Sequence, residues 1–150
     1  MSWQSESQFQ QISDGKTEVY KICGIDKNGK LYSFFYPKFE YTLHKTYETN
    51  LDIQQHFDGF EGYNGFHSYS YTLTKYNIYK RDDYISISHP SSNQVFAWYM
   101  LSPFLIGRTI AIVKGYIPNN AIYYINEKGE VISNQIVLTE IVQKLKFNRY

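Results

Sequence analysis

Between residues 108 and 142 the chain reads RTIAIVKGYIPNNAIYYINEKGEVISNQIVLTEIV, a series of β-rich runs cut by turn formers. The cuts fall at Pro118-Asn119-Asn120, at Asn126 to Gly129 and at Ser133-Asn134. Each run is strand-length, and Gly, Pro and Asn punctuate the intervals where the backbone must reverse. Connections this short join antiparallel neighbours, so this stretch confines the chain to a mostly antiparallel sheet. The segment Gly65-Phe66-His67-Ser68-Tyr69-Ser70-Tyr71 reads as its natural partner.

Composition supports a strand-rich reading. Tyr occurs 16 times and Phe 10 times, against three Ala, so residues suited to pleated surfaces abound and the best helix former is scarce. Lys outnumbers Arg twelve to three, and Ile and Asn are frequent. These residues have AT-rich codons, as in AT-rich phages, firmicutes and large DNA viruses. A chain of 150 residues is the size of one domain. The formal net charge of +1 does not give the basic field of a dedicated nucleic-acid binder. Cys23 is the only cysteine, which excludes an internal disulfide and a cysteine-rich metal site. The first residues lack an apolar signal core, and the run from Pro103 to Val113 is too short to span a bilayer. The expected location is the cytoplasm, of a host cell if the protein is viral.

In chain order, residues 1–17 read as a flexible polar tail, and residues 18–150 as a single α+β domain. Val19 to Ile25 and Leu31 to Tyr36 form a hairpin whose turn uses Asn28-Gly29, with Pro37 as its stop. Cys23, inside the first strand, is expected to be buried and inert. Tyr41 to Tyr47 reads as a short strand and Leu51 to Phe60 as one or two helical turns. Phe66 to Tyr71 alternates, with Phe66, Ser68 and Ser70 on one face and His67, Tyr69 and Tyr71 on the other. Tyr84 to Ser88 alternates as a strand. One main helix is expected near residues 92–101, capped by Ser91-Ser92 and ended by Pro103. The expected fold is thus α+β, a split or strongly twisted antiparallel sheet with that helix.

The candidate ligand-binding residues are His67, Ser68, Tyr69, Arg108, Tyr123 and Glu130. His67 can hydrogen-bond a ribose or act as a base. Glu130, opening a strand after Lys128-Gly129, offers a carboxylate. Arg108 offers a bidentate fork for phosphate. The tyrosines, Tyr123 among them, can stack a base or a sugar. The histidines show no metal-ligand spacing, and neither a metal nor a cofactor is expected. No Gly-x-Ser-x-Gly elbow is present, and Gly59, Gly62 and Gly65 lack the context of a phosphate loop.

Three stretches carry a resemblance: Tyr63 to Tyr69, Ile112 to Pro118, and Tyr123-Tyr124 with Gly129 to Ser133. Together they resemble a group of small uncharacterised phage and bacterial proteins. That group has a Gly-Phe-His segment and a Gly-Glu-Val-x-Ser hairpin. A more distant similarity is to the ADP-ribosyltransferase-like fold, on the order His67, Tyr99, Glu130 with Ser68 and Ser70. It implies a nucleotide-dependent transferase, active or degenerate, with His67 and Glu130 as its catalytic residues. The chain lacks a Glu-x-Glu pair. The leading expectation is a non-enzymatic accessory binding protein of viral or phage type, with a counter-defence role. It would contact a host protein or sequester a small nucleotide-like ligand, with homo-oligomers allowed and no membrane partner.

Overall fold

The computed structural model describes residues 9–34, 38–51, 64–80, 84–88, 95–100 and 109–146. Among them the fold is β-sheet. The strands are β1 (Phe9–Ile12), β2 (Thr17–Ile25), β3 (Leu31–Ser33), β4 (Glu40–Tyr41), β5 (Thr46–Glu48), β6 (Phe66–Tyr69), β7 (Ile78–Lys80), β8 (Tyr84–Ser88), β9 (Val95–Met100), β10 (Thr109–Ile117), β11 (Ile122–Ile125), β12 (Glu130–Ser133) and β13 (Gln135–Lys146). The helical element among these residues is one 3-10 turn, Lys75–Asn77.

This corrects the α+β expectation. The helix expected near 92–101 is replaced over Val95–Met100 by β9, which pairs with β8. The run Val-Phe-Ala-Trp-Tyr-Met holds one Ala among β-branched and aromatic residues, and pairing with the alternating β8 decides its state. The Ser91-Ser92 cap lies outside the described residues, as do most of Leu51 to Phe60 and all of residues 1–8. Inside the stretch read as a tail, Phe9–Ile12 pairs with β11, and Ser13 is buried with its hydroxyl donating to the Ile117 carbonyl at 2.7 Å.

The large sheet runs β1-β11-β12-β6-β2-β10-β13-β5, with β3 paired to β2 and β4 to β3. All of its pairings are antiparallel. One long edge of β2 is covered by β10. Its other edge is divided, with Tyr20 opposite Tyr69 of β6 and Cys23 to Ile25 opposite β3. The sheet curls. Tyr47 of β5 and Tyr123 and Ile125 of β11, from opposite halves of the strand order, pack on one core with Val19, Cys23, Phe66, Val113, Val131 and Leu138. Asn134, between β12 and β13, fixes the curl. Its carbonyl accepts from Thr49 N at 2.9 Å, and its side-chain oxygen accepts from Ile122 N at 2.9 Å.

The curled sheet therefore has an inner and an outer face. The outer one carries Ile22, Tyr69, Ile110 and Ile112, packed with Leu73 and with Ile87 of the three-stranded sheet β7-β8-β9. Two hairpins share one turn design. In Asp26 to Lys30, Asp26 Oδ1 accepts from Asn28 N and Lys30 N, and Gly29 has φ +84°. In Asn126 to Glu130, Asn126 Oδ1 accepts from Lys128 N and Glu130 N, and Gly129 has φ +87°. A short side chain's oxygen ties down the turn amides, and glycine takes the left-handed position.

Candidate functional site

The site is built on β6 and β12. Glu130 stands opposite Tyr69, Val131 opposite Ser68, Ile132 opposite His67, and Ser133 opposite Phe66. Side chains alternate along each strand. His67, Tyr69, Glu130 and Ile132 therefore share the outer face, and Phe66, Ser68, Val131 and Ser133 share the inner one. His67 and Glu130, far apart in sequence, become diagonal neighbours on one sheet face.

Alternation also divides the residues that the sequence singled out. Ser68 belongs to the inner face, and so does Tyr123, which stands opposite Ser133 and packs on the inner core. Arg108 lies outside the described residues. On the outer face, Glu130 is buried and its Oε1 accepts from Asn126 Nδ2 at 3.0 Å, so the carboxylate helps close its own hairpin. His67 is half-buried, and Tyr69 packs at 5.5 Å between ring centroids from Tyr71. Tyr99, the third residue of the transferase-like order, lies on β9 in the three-stranded sheet, apart from the sheet that joins His67 and Glu130.

The inner face holds a polar group that sequence reasoning missed. Lys21 lies on β2 between Val19 and Cys23, at the same parity as those core residues, and is 8% exposed. Its ammonium donates to the His67 carbonyl at 2.7 Å and stands 5.9 Å from the centroid of the Tyr41 ring. That bond links β2 to β6 beyond their one register pair, Tyr20 with Tyr69. Burial pulls the Lys21 pKa below its ordinary value, with Cys23 acting in the opposite sense. The Cys23 thiol is pushed up to about 11, chiefly by burial. Burial also raises the Tyr41 phenol. The sequence did carry a signal: in VYKICGI a lysine occupies a position that the alternation reserves for apolar residues.

Two hydroxyls accompany this amine. Ser68 and Ser133 are 2% and 0% exposed, and neither Oγ has a hydrogen-bond partner. They are diagonal neighbours on the inner face, about 7–8 Å apart at the backbone. The amine reaches the carbonyl of the residue before Ser68. Beside this polar island lie Phe39, Tyr41, Tyr47 and Phe66, with ring centroids 5.0 to 6.4 Å apart. Among the described residues no group of three or more His, Cys, Asp or Glu side chains is placed to hold a metal ion. No helix among them is long and apolar enough to cross a membrane. In comparisons with protein families, curated proteins and solved structures, nothing matches the chain.

Proposed function

We propose that this chain is a non-enzymatic accessory binding protein, of the kind carried by phages and viruses. It acts in the host cytoplasm by sequestering a small nucleotide-like ligand, with a counter-defence role. The observation that carries this reading is the polar island inside an apolar face. A core that only had to fold would place apolar side chains at Lys21, Ser68 and Ser133, since an ammonium and two hydroxyls are costly to bury. Aromatic rings suited to stacking a base or sugar lie beside that island.

A second reading, contact with a host protein, is favoured by exposed apolar side chains. Phe39 is 39% and Tyr76 74% exposed. One experiment separates the two. The protein is purified from its host under native conditions, and bound small molecules and bound proteins are identified by mass spectrometry. A phosphorylated small molecule at near-equal stoichiometry supports sequestration. A stoichiometric host protein with no small molecule replaces it by the contact reading. Incubation with NAD completes the test, because release of nicotinamide would overturn the non-enzymatic assignment.

A further inference from the structure

We infer that Lys21, Ser68 and Ser133 form an internal site for a phosphoryl group. This inference rests on the small-ligand reading above and names the ligand's anchoring group. The argument begins with charge. A buried ammonium costs several kcal/mol unless an opposite charge accompanies it. Lys21 takes no part in the ion pairs Lys30 with Glu40 and Lys114 with Glu18. Its one hydrogen bond goes to a neutral carbonyl, which leaves two of its three N–H groups to be used.

The neighbours set the sign of the ligand. Ser68 Oγ and Ser133 Oγ are buried hydroxyls, each with a proton to donate and no acceptor in reach. Alternation places both on the face that carries Lys21. An amine and two hydroxyls make a donor set, and a tetrahedral oxyanion supplies both the missing charge and several acceptor oxygens. A metal cation would meet the ammonium's repulsion. A chain of two contacts joins the site to the surface. The amine stands over Tyr41, and Tyr41 packs at 5.0 Å against Phe39, which is partly exposed. The phosphoryl group of a nucleotide would take the inner position and leave its base at these rings.

The test is thermal unfolding of the full chain at neutral pH against rising inorganic phosphate, with ionic strength held constant. For the wild type the Tm is expected to climb along a binding curve, because a ligand held only by the folded state stabilises it. Lys21→Met is expected to lose that climb while folding normally. Phosphate also stabilises proteins by exclusion from their surfaces. An equal rise in both proteins, or no rise in the wild type, overturns the inference. Ser133→Ala keeps the ammonium and provides a reading should Lys21→Met fail to fold. It is expected to bind phosphate about tenfold more weakly, and unchanged affinity would count against the site. Arms with a nucleoside monophosphate and with adenosine separate the sources. Nucleotide binding that survives Lys21→Met removes this site and spares the sequestration reading. Lys21-dependent binding of phosphate with no binding of nucleotide keeps the site and removes the nucleotide reading.

Discussion

Gly24 and Tyr32 stand opposite each other across β2 and β3, and the phenol ring occupies the space that a side chain at residue 24 would need. A Cβ on Gly24 would lie 2.1 Å from Tyr32 Cε2. Tyr32 is itself buried, so the ring has no free direction in which to retreat. Gly24→Ala is therefore expected to destabilise the fold by about 1–3 kcal/mol, the usual cost of overpacking. Combined with Tyr32→Leu, it should cost less than the sum of the two single changes, since residues in contact do not add. Denaturant unfolding of the three variants measures this.

The two matched turns give a comparison within one molecule. Gly29 and Gly129 share a left-handed backbone, but a Cβ on Gly29 meets nothing within 4 Å, while one on Gly129 lies 2.9 Å from Tyr71 Cδ1. Gly29→Ala should cost about 1 kcal/mol, the conformational term alone. Gly129→Ala should cost about 2–3 kcal/mol, because crowding is added. Equal midpoints in urea for the two variants would sink the comparison.

Cys23 makes stability depend on pH in the alkaline range. Its pKa rises from 9.0 to about 11 on folding. Between those values the unfolded chain releases the thiol proton and the folded chain keeps it, so the unfolded state binds fewer protons and stability falls as pH rises. The contribution is complete below pH 9 and is lost through pH 11, amounting to about 2–3 kcal/mol. Cys23→Ala should flatten this part of the profile. A wild-type slope that persists in the variant would assign it to other groups.

Glu130 is expected to behave as a structural residue as well as a site residue. Its carboxylate accepts from Asn126 inside the hairpin, and the residue is buried. Glu130→Ala leaves that amide without its partner and should destabilise by about 1–3 kcal/mol. Glu130→Gln retains an acceptor oxygen and should lose less. Thermal melts in which Glu130→Gln loses as much as Glu130→Ala would show that the carboxylate's charge, and not its acceptor oxygen, matters.

Lys21→Met offers a test independent of any ligand. Replacing a buried charge by an apolar side chain of similar length is commonly neutral or stabilising. The variant is expected to match or exceed the wild-type Tm in phosphate-free buffer. A large loss would mark Lys21 as a structural link between β2 and β6.

Much of the strand layout is legible in the sequence because turns are local. Asp26 to Lys30 and Asn126 to Gly129 carry their own side-chain acceptors and glycines. Alternation likewise gives the two faces over Phe66 to Tyr69, although the strand ends there and not at Tyr71. The registers that join β6 to β12 and β2 to β10 are set by distant pairing, which no local pattern encodes. β9 is misread for a related reason. A compact apolar run is compatible with a helix or a strand, and its partner β8 decides between them. Phe9–Ile12 is inconspicuous because its pairing with β11 is made by backbone groups, which every sequence possesses. The candidate site is only partly legible. The sequence names Ser68 and Tyr123 as candidates, but the division into two faces requires knowing which strand lies beside which.

The division of β2 between three neighbours has a consequence for how the chain acquires its shape. Thr17 pairs with Ile117 and Ile25 with Thr109, while Tyr20 waits for Tyr69. On the ribosome, β2 emerges long before β10 exists. Its local hairpin with β3 covers only Cys23 to Ile25, so the remaining edge groups stay open until most of the chain has been made. Long-range pairing of this kind closes slowly, and open strand edges recruit other chains meanwhile. Synthesis at high concentration should therefore divert a share of newly made molecules into aggregates. Slower translation or lower temperature should recover them, even though the finished fold, once β10 is seated, is unchanged.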